Sequence, residues 1–184
     1  MEFLQIQKVE TLTIVLCAVG ASLCLLSYGS RLLAHLLAYR RGRDSSLSFG
    51  FAMATTFAGY LGWGYWSAAD PVKMNISRTA AIAVGIPLAA LGLGLFLYSE
   101  LSKHGVGQKG GLITTGIYAK IRHPMYIGLV LLHAGYPLIY RSFAAWASTL
   151  LWAAFILVWT QFEEANLERA YGEEYRRYRE KTWF

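Results

Sequence analysis

Residues 125–164 read MYIGLVLLHAGYPLIYRSFAAWASTLLWAAFILVWTQFEE. Two apolar stretches, about Met125–Tyr140 and about Ser142–Phe162, meet at Tyr140-Arg141-Ser142, which leaves little room for a loop. They read as a tight helical hairpin. The first arm is short: about 15 residues at about 1.5 Å each reach only about 22 Å, less than the roughly 30 Å of a hydrocarbon core. Pro137 lies near its end, so this arm need not fully span.

Working outward, three further apolar stretches run from about Thr11 to Tyr39, Leu47 to Ala69 and Thr79 to Leu101. Each matches the roughly 20 residues that a helix needs to cross a bilayer. Lipid offers no partner to backbone polar groups, so these segments must be helices, and the alternation of a barrel is absent. Hydrophobic residues make up 55% of the 184-residue chain and charged ones 15%, against about 25% charged in soluble domains. The expected fold is an all-α integral membrane bundle of about five transmembrane helices forming one domain, 1–184, and lipid is its first partner.

The net charge of +6 sits in the connections. With the amino terminus outside, Arg40, Arg41, Arg43, the Lys103–Arg122 cations and the tail arginines fall on the cytoplasmic side, and only Lys8, Lys73, Arg78 and Arg141 on the outer side. This follows the positive-inside rule and argues against nucleic acid as the partner. Cys17 and Cys24 read as buried thiols, and no Cys/His spacing suits a metal. A short chain without retention or lipidation signals fits a prokaryotic inner membrane. The sequence leaves the oligomeric state open.

Small residues recur at four-residue spacing in Ala54-Ala58-Gly62 and Ala81-Gly85-Ala89, which lets helices approach closely in lipid. In the tail, Leu167, Tyr171, Tyr175 and Tyr178 form one amphipathic stripe, with Glu173–Arg177 and Arg176–Glu180 as expected pairs. Gly172 weakens that helix by about 1 kcal/mol relative to Ala. The tail is expected to lie as an interfacial helix on the cytoplasmic ends of the bundle.

Two clusters carry chemistry. Gly116-Ile117-Tyr118-Ala119-Lys120-Ile121-Arg122-His123-Pro124-Met125-Tyr126-Ile127-Gly128 leads into the short arm. Pro124 suits the first position of a helix and biases His123 away from helical geometry. Arg122 and His123 thus stand before a helix amino terminus, where an anion is favoured. The second cluster is Glu163-Glu164, at the edge of an apolar helix and near its carboxyl end, where carboxylates are poorly placed electrostatically. Facing inward, they can hold a positive group. Together the clusters suit a zwitterionic ligand, and S-adenosylmethionine is one of several that match.

The pattern Gly116-x-Tyr118-x-x-x-Arg122-His123-Pro124-x-Tyr126-x-Gly128, followed by Glu163-Glu164-x-x-Leu167 and Tyr171-Gly172-Glu173-Glu174-Tyr175-x-x-Tyr178, resembles the isoprenylcysteine carboxyl methyltransferase family. That family is related to the membrane phospholipid N-methyltransferases. The resemblance covers roughly Gly111 to Thr182. It implies S-adenosylmethionine as cofactor, in a cytoplasmic pocket lined by Tyr118, Arg122, His123, Pro124, Tyr126, Glu163 and Glu164, with Glu163, Glu164 and Arg122 nearest the chemistry.

The same resemblance divides the chain into a three-helix part, 1–101, and a cofactor-binding catalytic part, 102–184. A lipophilic methyl acceptor would enter from the bilayer. Gly92-Leu93-Gly94 resembles a glycine motif of phospholipid methyltransferases. One position departs from the carboxyl methylators: Trp159 stands where they tend to have an arginine. Trp159 then packs against an apolar acceptor or anchors at the interface.

Other classes stay open beside this one. A phospholipid N-methyltransferase needs the same cofactor. An NADPH-dependent membrane reductase would need cations for phosphates where Glu163-Glu164 stand, and a membrane scaffold rests on the packing repeats alone. Gly105-x-Gly107-x-x-Gly110-Gly111 fits a bare dinucleotide pattern but has no strand before it, so it reads as a connector.

Overall fold

The computed structural model describes residues 4–6, 11–41, 46–103 and 111–184. Within them the chain is almost wholly helical: α1 (Thr11–Arg41), α2 (Ser46–Ala69), α3 (Arg78–Lys103), α4 (Pro124–Ile139), α5 (Phe143–Tyr171) and α6 (Glu173–Lys181), with a 3-10 turn at Gly116–Ala119. A two-stranded antiparallel ribbon pairs β1 (Leu4–Ile6) with β2 (Val72–Met74), a feature that the all-α expectation missed. Lys8, Arg43, Lys109 and the Gly105–Gly110 stretch lie outside the described residues.

Three of the helices, α1, α3 and α5, are long and apolar enough to cross a membrane. Their outward faces leave Leu12, Leu91, Leu101 and Leu150 more than 60% exposed. Such a girdle is stable only in lipid, and the chain is an integral membrane protein. The apolar run of α5 ends at Phe162; Glu163–Tyr171 continue the helix as its polar end. As expected, α4 is short and begins at Pro124.

Helix packing uses the small residues, with one shift of register. A Cβ on Gly92 would lie 2.5 Å from the Leu132 nitrogen and 2.6 Å from the Gly128 oxygen, and one on Gly128 would lie 2.7 Å from the Gly92 oxygen. Glycine at both positions is therefore what brings the α3 and α4 backbones together. Gly85 and Gly135 repeat the contact further along. Between α1 and α2 the meeting residues are Gly20, Ser27, Gly59 and Gly62. Ala54 is exposed, so the α2 contact face lies along Thr55, Gly59 and Gly62 rather than the alanine row. Gly94 has nothing within 4 Å.

Opposite the tail, one buried carboxylate ties the elements together. Asp70, 1% exposed, accepts from the Val72 nitrogen at 3.0 Å, the Ala144 nitrogen at 2.9 Å and the Ser142 hydroxyl. The Met74 nitrogen donates to the Arg141 carbonyl at 2.7 Å. The turn of the α4–α5 hairpin is thereby fastened to the end of α2.

The core is aromatic. Tyr28 of α1 lies between Trp152 and Trp159 of α5, stacked at 4.6 and 5.4 Å between ring centroids. Cys24, Trp63, Tyr126, Leu129 and Ile156 complete the cluster. Trp159 is buried at 4% exposure, which corrects the reading of it as an interfacial anchor. Cys17 and Cys24 are buried free thiols.

Candidate active site

The amino end of α4 and the polar end of α5 converge. Pro124 fixes where α4 starts, so Arg122 and His123 precede it outside the helix, His123 at φ −124° and ψ 54°, and Tyr126 falls in its first turn. On α5, the absence of any break after Phe162 carries Glu163 and Glu164 onto the same end of the bundle.

The contacts are direct. Arg122 Nε donates to Glu164 Oε1 at 2.9 Å, and His123 Nε2 lies 3.1 Å from the same oxygen. The Tyr126 hydroxyl donates to Glu163 Oε2 at 2.6 Å, and His123 Nδ1 is 3.9 Å from that oxygen. The His123 and Tyr126 rings stack at 5.5 Å. His123 is 4% exposed in its side chain, whereas Glu163 is 33% exposed, so Glu163 is the carboxylate that opens to the surroundings. Hydrogen bonding from His123 outweighs partial burial and, with Arg122, holds the Glu164 carboxyl down at about 2, from 4.5.

The tail closes over this centre. Gly172 adopts φ +54°, a left-handed conformation that breaks the helix between α5 and α6. The chain after α6 then runs beside residues 120–123: the Trp183 nitrogen donates to the Lys120 carbonyl, and the Arg122 and His123 nitrogens donate to the Trp183 and Phe184 carbonyls, all at 2.8–2.9 Å. Arg122 Nη1 also donates to the Thr182 carbonyl at 2.6 Å and the Arg179 carbonyl at 3.2 Å. Arg176 reaches back to Glu168 and Glu173, and Arg179 to Glu168.

Each expected residue thus has a place. Arg122, His123, Tyr126, Glu163 and Glu164 meet; Pro124 is fully buried beneath them. Tyr118 sits at the margin, in the 3-10 turn, donating to the Ser99 carbonyl at 3.4 Å while its own carbonyl accepts from the Tyr178 hydroxyl at 2.7 Å. Burial first, then the Glu100 and Glu163 charges, raises the Tyr118 phenol well above its usual range.

Residues that sequence reading did not assign to the site are Tyr175 and the 182–184 backbone. Tyr175 is 0% exposed, and its hydroxyl has no partner among the described residues. Burial, and next the Glu164 charge, pushes its phenol up. Its place in the tail stripe was the available signal; the backbone carbonyls had none. Among the described residues no group of His, Cys, Asp or Glu could hold a metal ion.

The phospholipid methyltransferase family model matches residues 80–174, from α3 through the acidic pair to the start of α6 and slightly more than half of the chain.

The chain belongs to the phospholipid methyltransferase family.

Two curated relatives of this phospholipid methyltransferase family member are similar over parts of their length. Protein-S-isoprenylcysteine O-methyltransferase of Schizosaccharomyces pombe is 37% identical over 77 residues, 39% of this chain and 30% of that protein. Methanethiol S-methyltransferase of Pseudomonas deceptionensis is 29% identical over 133 residues, 64% of this chain and 50% of that protein. The matches thus span at most half the length of these relatives. No solved structure matches the chain significantly.

Proposed function

We propose that this chain is an S-adenosylmethionine-dependent methyltransferase acting on a lipophilic acceptor, with its site facing the cytoplasm. The observation that carries the reading is the convergence of Arg122, His123 and Tyr126 with Glu163 and Glu164 within 2.6–3.1 Å. In the same reading, all five apolar helices sit in a prokaryotic inner membrane with the amino terminus outside. Residues 1–101 are then mainly scaffold, and 102–184 carry the cofactor site.

The residues fit such a cofactor. A zwitterion needs one anionic and several polar partners at the edge of lipid, and the structure offers the open carboxylate Glu163 and the unpartnered hydroxyl Tyr175. Glu163 takes the ammonium, oriented by the Tyr126 hydroxyl. Glu164 stays ionised because Arg122 and His123 hydrogen-bond to it, and it balances the Arg122 charge. Arg122 acts as a positioning residue that ties the tail to the α4 entrance, while Pro124 and Tyr118 shape the rim. S-adenosylmethionine, when bound, supplies a methyl group on a sulfonium, already a strong leaving group. The protein's part is alignment and exclusion of water, and the buried Trp159 closes the membrane side.

The acceptor is a prenylcysteine carboxylate or a related small or lipid molecule. The relatives' names speak for a carboxyl oxygen in one case and a thiol sulfur in the other. Calorimetry with S-adenosylhomocysteine on detergent-purified protein tests the cofactor: saturable binding that Glu163→Gln abolishes supports the reading, and absence of heat at millimolar ligand overturns it.

A further inference from the structure

Arg31 is a charge inside the apolar layer that the mechanism above does not use. It stands on α1 ten residues before Arg41, the last residue of that helix, so its backbone lies about 15 Å from the helix end at about 1.5 Å per residue. Its Nε donates to Thr56 Oγ1 at 3.1 Å. Thr56 is ten residues into α2, at the matching depth, so this bond holds the guanidinium within the layer instead of letting it reach back to the surface. Hydroxyls line the crease beside it: Ser30 of α1 and Thr55 of α2 bond each other, and both are buried. Cations at such depth are costly in lipid, face the bundle interior or a polar cavity, and mark the paths of ligands.

The stripe that carries Arg31 runs along the cofactor site. Tyr28, Arg31 and His35 follow +3, +4 spacing on one face of α1. Tyr28 stacks on Trp159 at 5.4 Å, and the His35 ring lies 5.9 Å from the same indole. Arg31 stands between them in the chain, beside the wall that Trp159 makes. Its charge bears on the Tyr126 phenol, as does that of Glu163, and the Tyr126 hydroxyl donates to Glu163 at 2.6 Å. The intramembrane cation and the open carboxylate are thus coupled to one side chain.

We propose that Arg31 is a specificity-determining residue, pairing with the anionic end of a single-chain lipid whose tail stays in the bilayer. This role rests on the methyltransferase reading and deepens it, by supplying a residue from α1, outside the residues 80–174 that the family model matches. Charge chooses the partner. A guanidinium binds a carboxylate or a phosphate through two parallel hydrogen bonds, and the low dielectric around Arg31 strengthens the pair. An ammonium headgroup meets like charge there and is rejected. An alcohol leaves the guanidinium without a counter-charge. Glu163 repels an anion on the cofactor side, so the lipid head comes to rest toward Arg31.

Dodecanoate, dodecyl phosphate, dodecanol and dodecylamine, titrated into the cofactor-free protein in non-ionic detergent and read by tryptophan fluorescence, test this. The pH is set where the fatty acid is ionised and the amine protonated. At least one anion should saturate, and the alcohol and the amine should not; which anion binds separates carboxylate from phosphate. Arg31→Gln should weaken anion binding about tenfold or more, as expected for charge-assisted hydrogen bonds. Arg31→Lys keeps the charge, loses the planar fork and should fall between the two. Melting temperature and calorimetry with S-adenosylhomocysteine show that the variants are folded. Equal responses of the wild type to anion and alcohol, or anion binding as tight in Arg31→Gln as in wild type, overturn the proposal. Should Arg31→Gln not fold, an anion affinity in Arg31→Lys equal to that of wild type overturns it. Failure of S-adenosylhomocysteine to bind the wild type sinks the cofactor reading, while the lipid titration still judges Arg31 by itself.

Discussion

Arg122 and Glu164, 42 positions apart in the chain, meet at 2.9 Å, and the same guanidinium carries the carbonyls of Arg179 and Thr182. One side chain therefore joins the entrance of α4, the polar end of α5 and the tail. Arg122→Ala leaves Glu164 with His123 alone and removes the side-chain part of the tail's clamp, while the main-chain bonds between residues 120–123 and 183–184 remain. Three charge-assisted hydrogen bonds vanish, one of them solvent-exposed, and the two partly buried ones are worth about 1.5–3 kcal/mol each. The expected outcome is a loss of about 3 kcal/mol in thermal stability and faster proteolysis after Gly172, both measurable in detergent.

Glu164 makes the protein acid-sensitive in a defined window. Its carboxyl is held at about 2 in the folded chain against 4.5 ordinarily. A depressed carboxylate stabilises the fold fully above pH 4.5, and that contribution is lost as pH falls from there toward about 2. Melting temperatures taken from pH 6 to 3 should decline in wild type below about 4.5. Glu164→Gln should start lower and decline less steeply; parallel curves would remove Glu164 as the cause.

Tyr126→Phe isolates one hydrogen bond at the proposed cofactor site. The ring keeps its stack on His123 and its contact with Trp159, but Glu163 loses its donor at 2.6 Å. Affinity for S-adenosylhomocysteine should fall about tenfold or more, as expected for a bond to a charged group, with melting temperature nearly unchanged. Calorimetry and thermal melts on one preparation decide it.

The glycine pair gives a prediction with an internal control. A methyl on Gly92 would collide with backbone on α4 at 2.5 Å, whereas Gly94 faces open space. Gly92→Ala should cost about 1–3 kcal/mol by forcing the helices apart. Gly94→Ala should be neutral or slightly stabilising, since alanine is the better helix former. Thermal stability of the two single variants provides the comparison.

How far the molecule was legible follows from what kind of signal each part leaves. Apolar length announces helices, and Pro124 announces where α4 begins; both calculations use local chemistry. The acidic pair was readable because carboxylates at the edge of an apolar run are costly without a reason. The register of α2 was not readable from alanines, because contact depends on which face the neighbouring helix offers, and Thr55 and Gly59 won that face. Arg176 reaches back to Glu168 because Gly172 bends the tail onto α5, a turn that spacing within one straight helix does not contain. The clamp on Arg122 is built from main-chain oxygens, which every residue possesses, so side-chain identity carried no trace of it. Trp159 looked like an interfacial tryptophan by position; its burial arises from Tyr28, more than 130 residues earlier, stacking against it.

Asp70 has a mechanical consequence. Because it rivets α2 to the α4–α5 turn at the far end, the helices cannot spread there without stranding a buried carboxylate. Any parting that lets a guest slip in sideways must hinge about that rivet and widen toward the opposite end, where the bonds of Arg122, His123 and Tyr126 to Glu163 and Glu164, and the tail, have to give. The bundle is thus built like a clothes peg, sprung shut at its hinge and latched at its jaws by side chains that can let go.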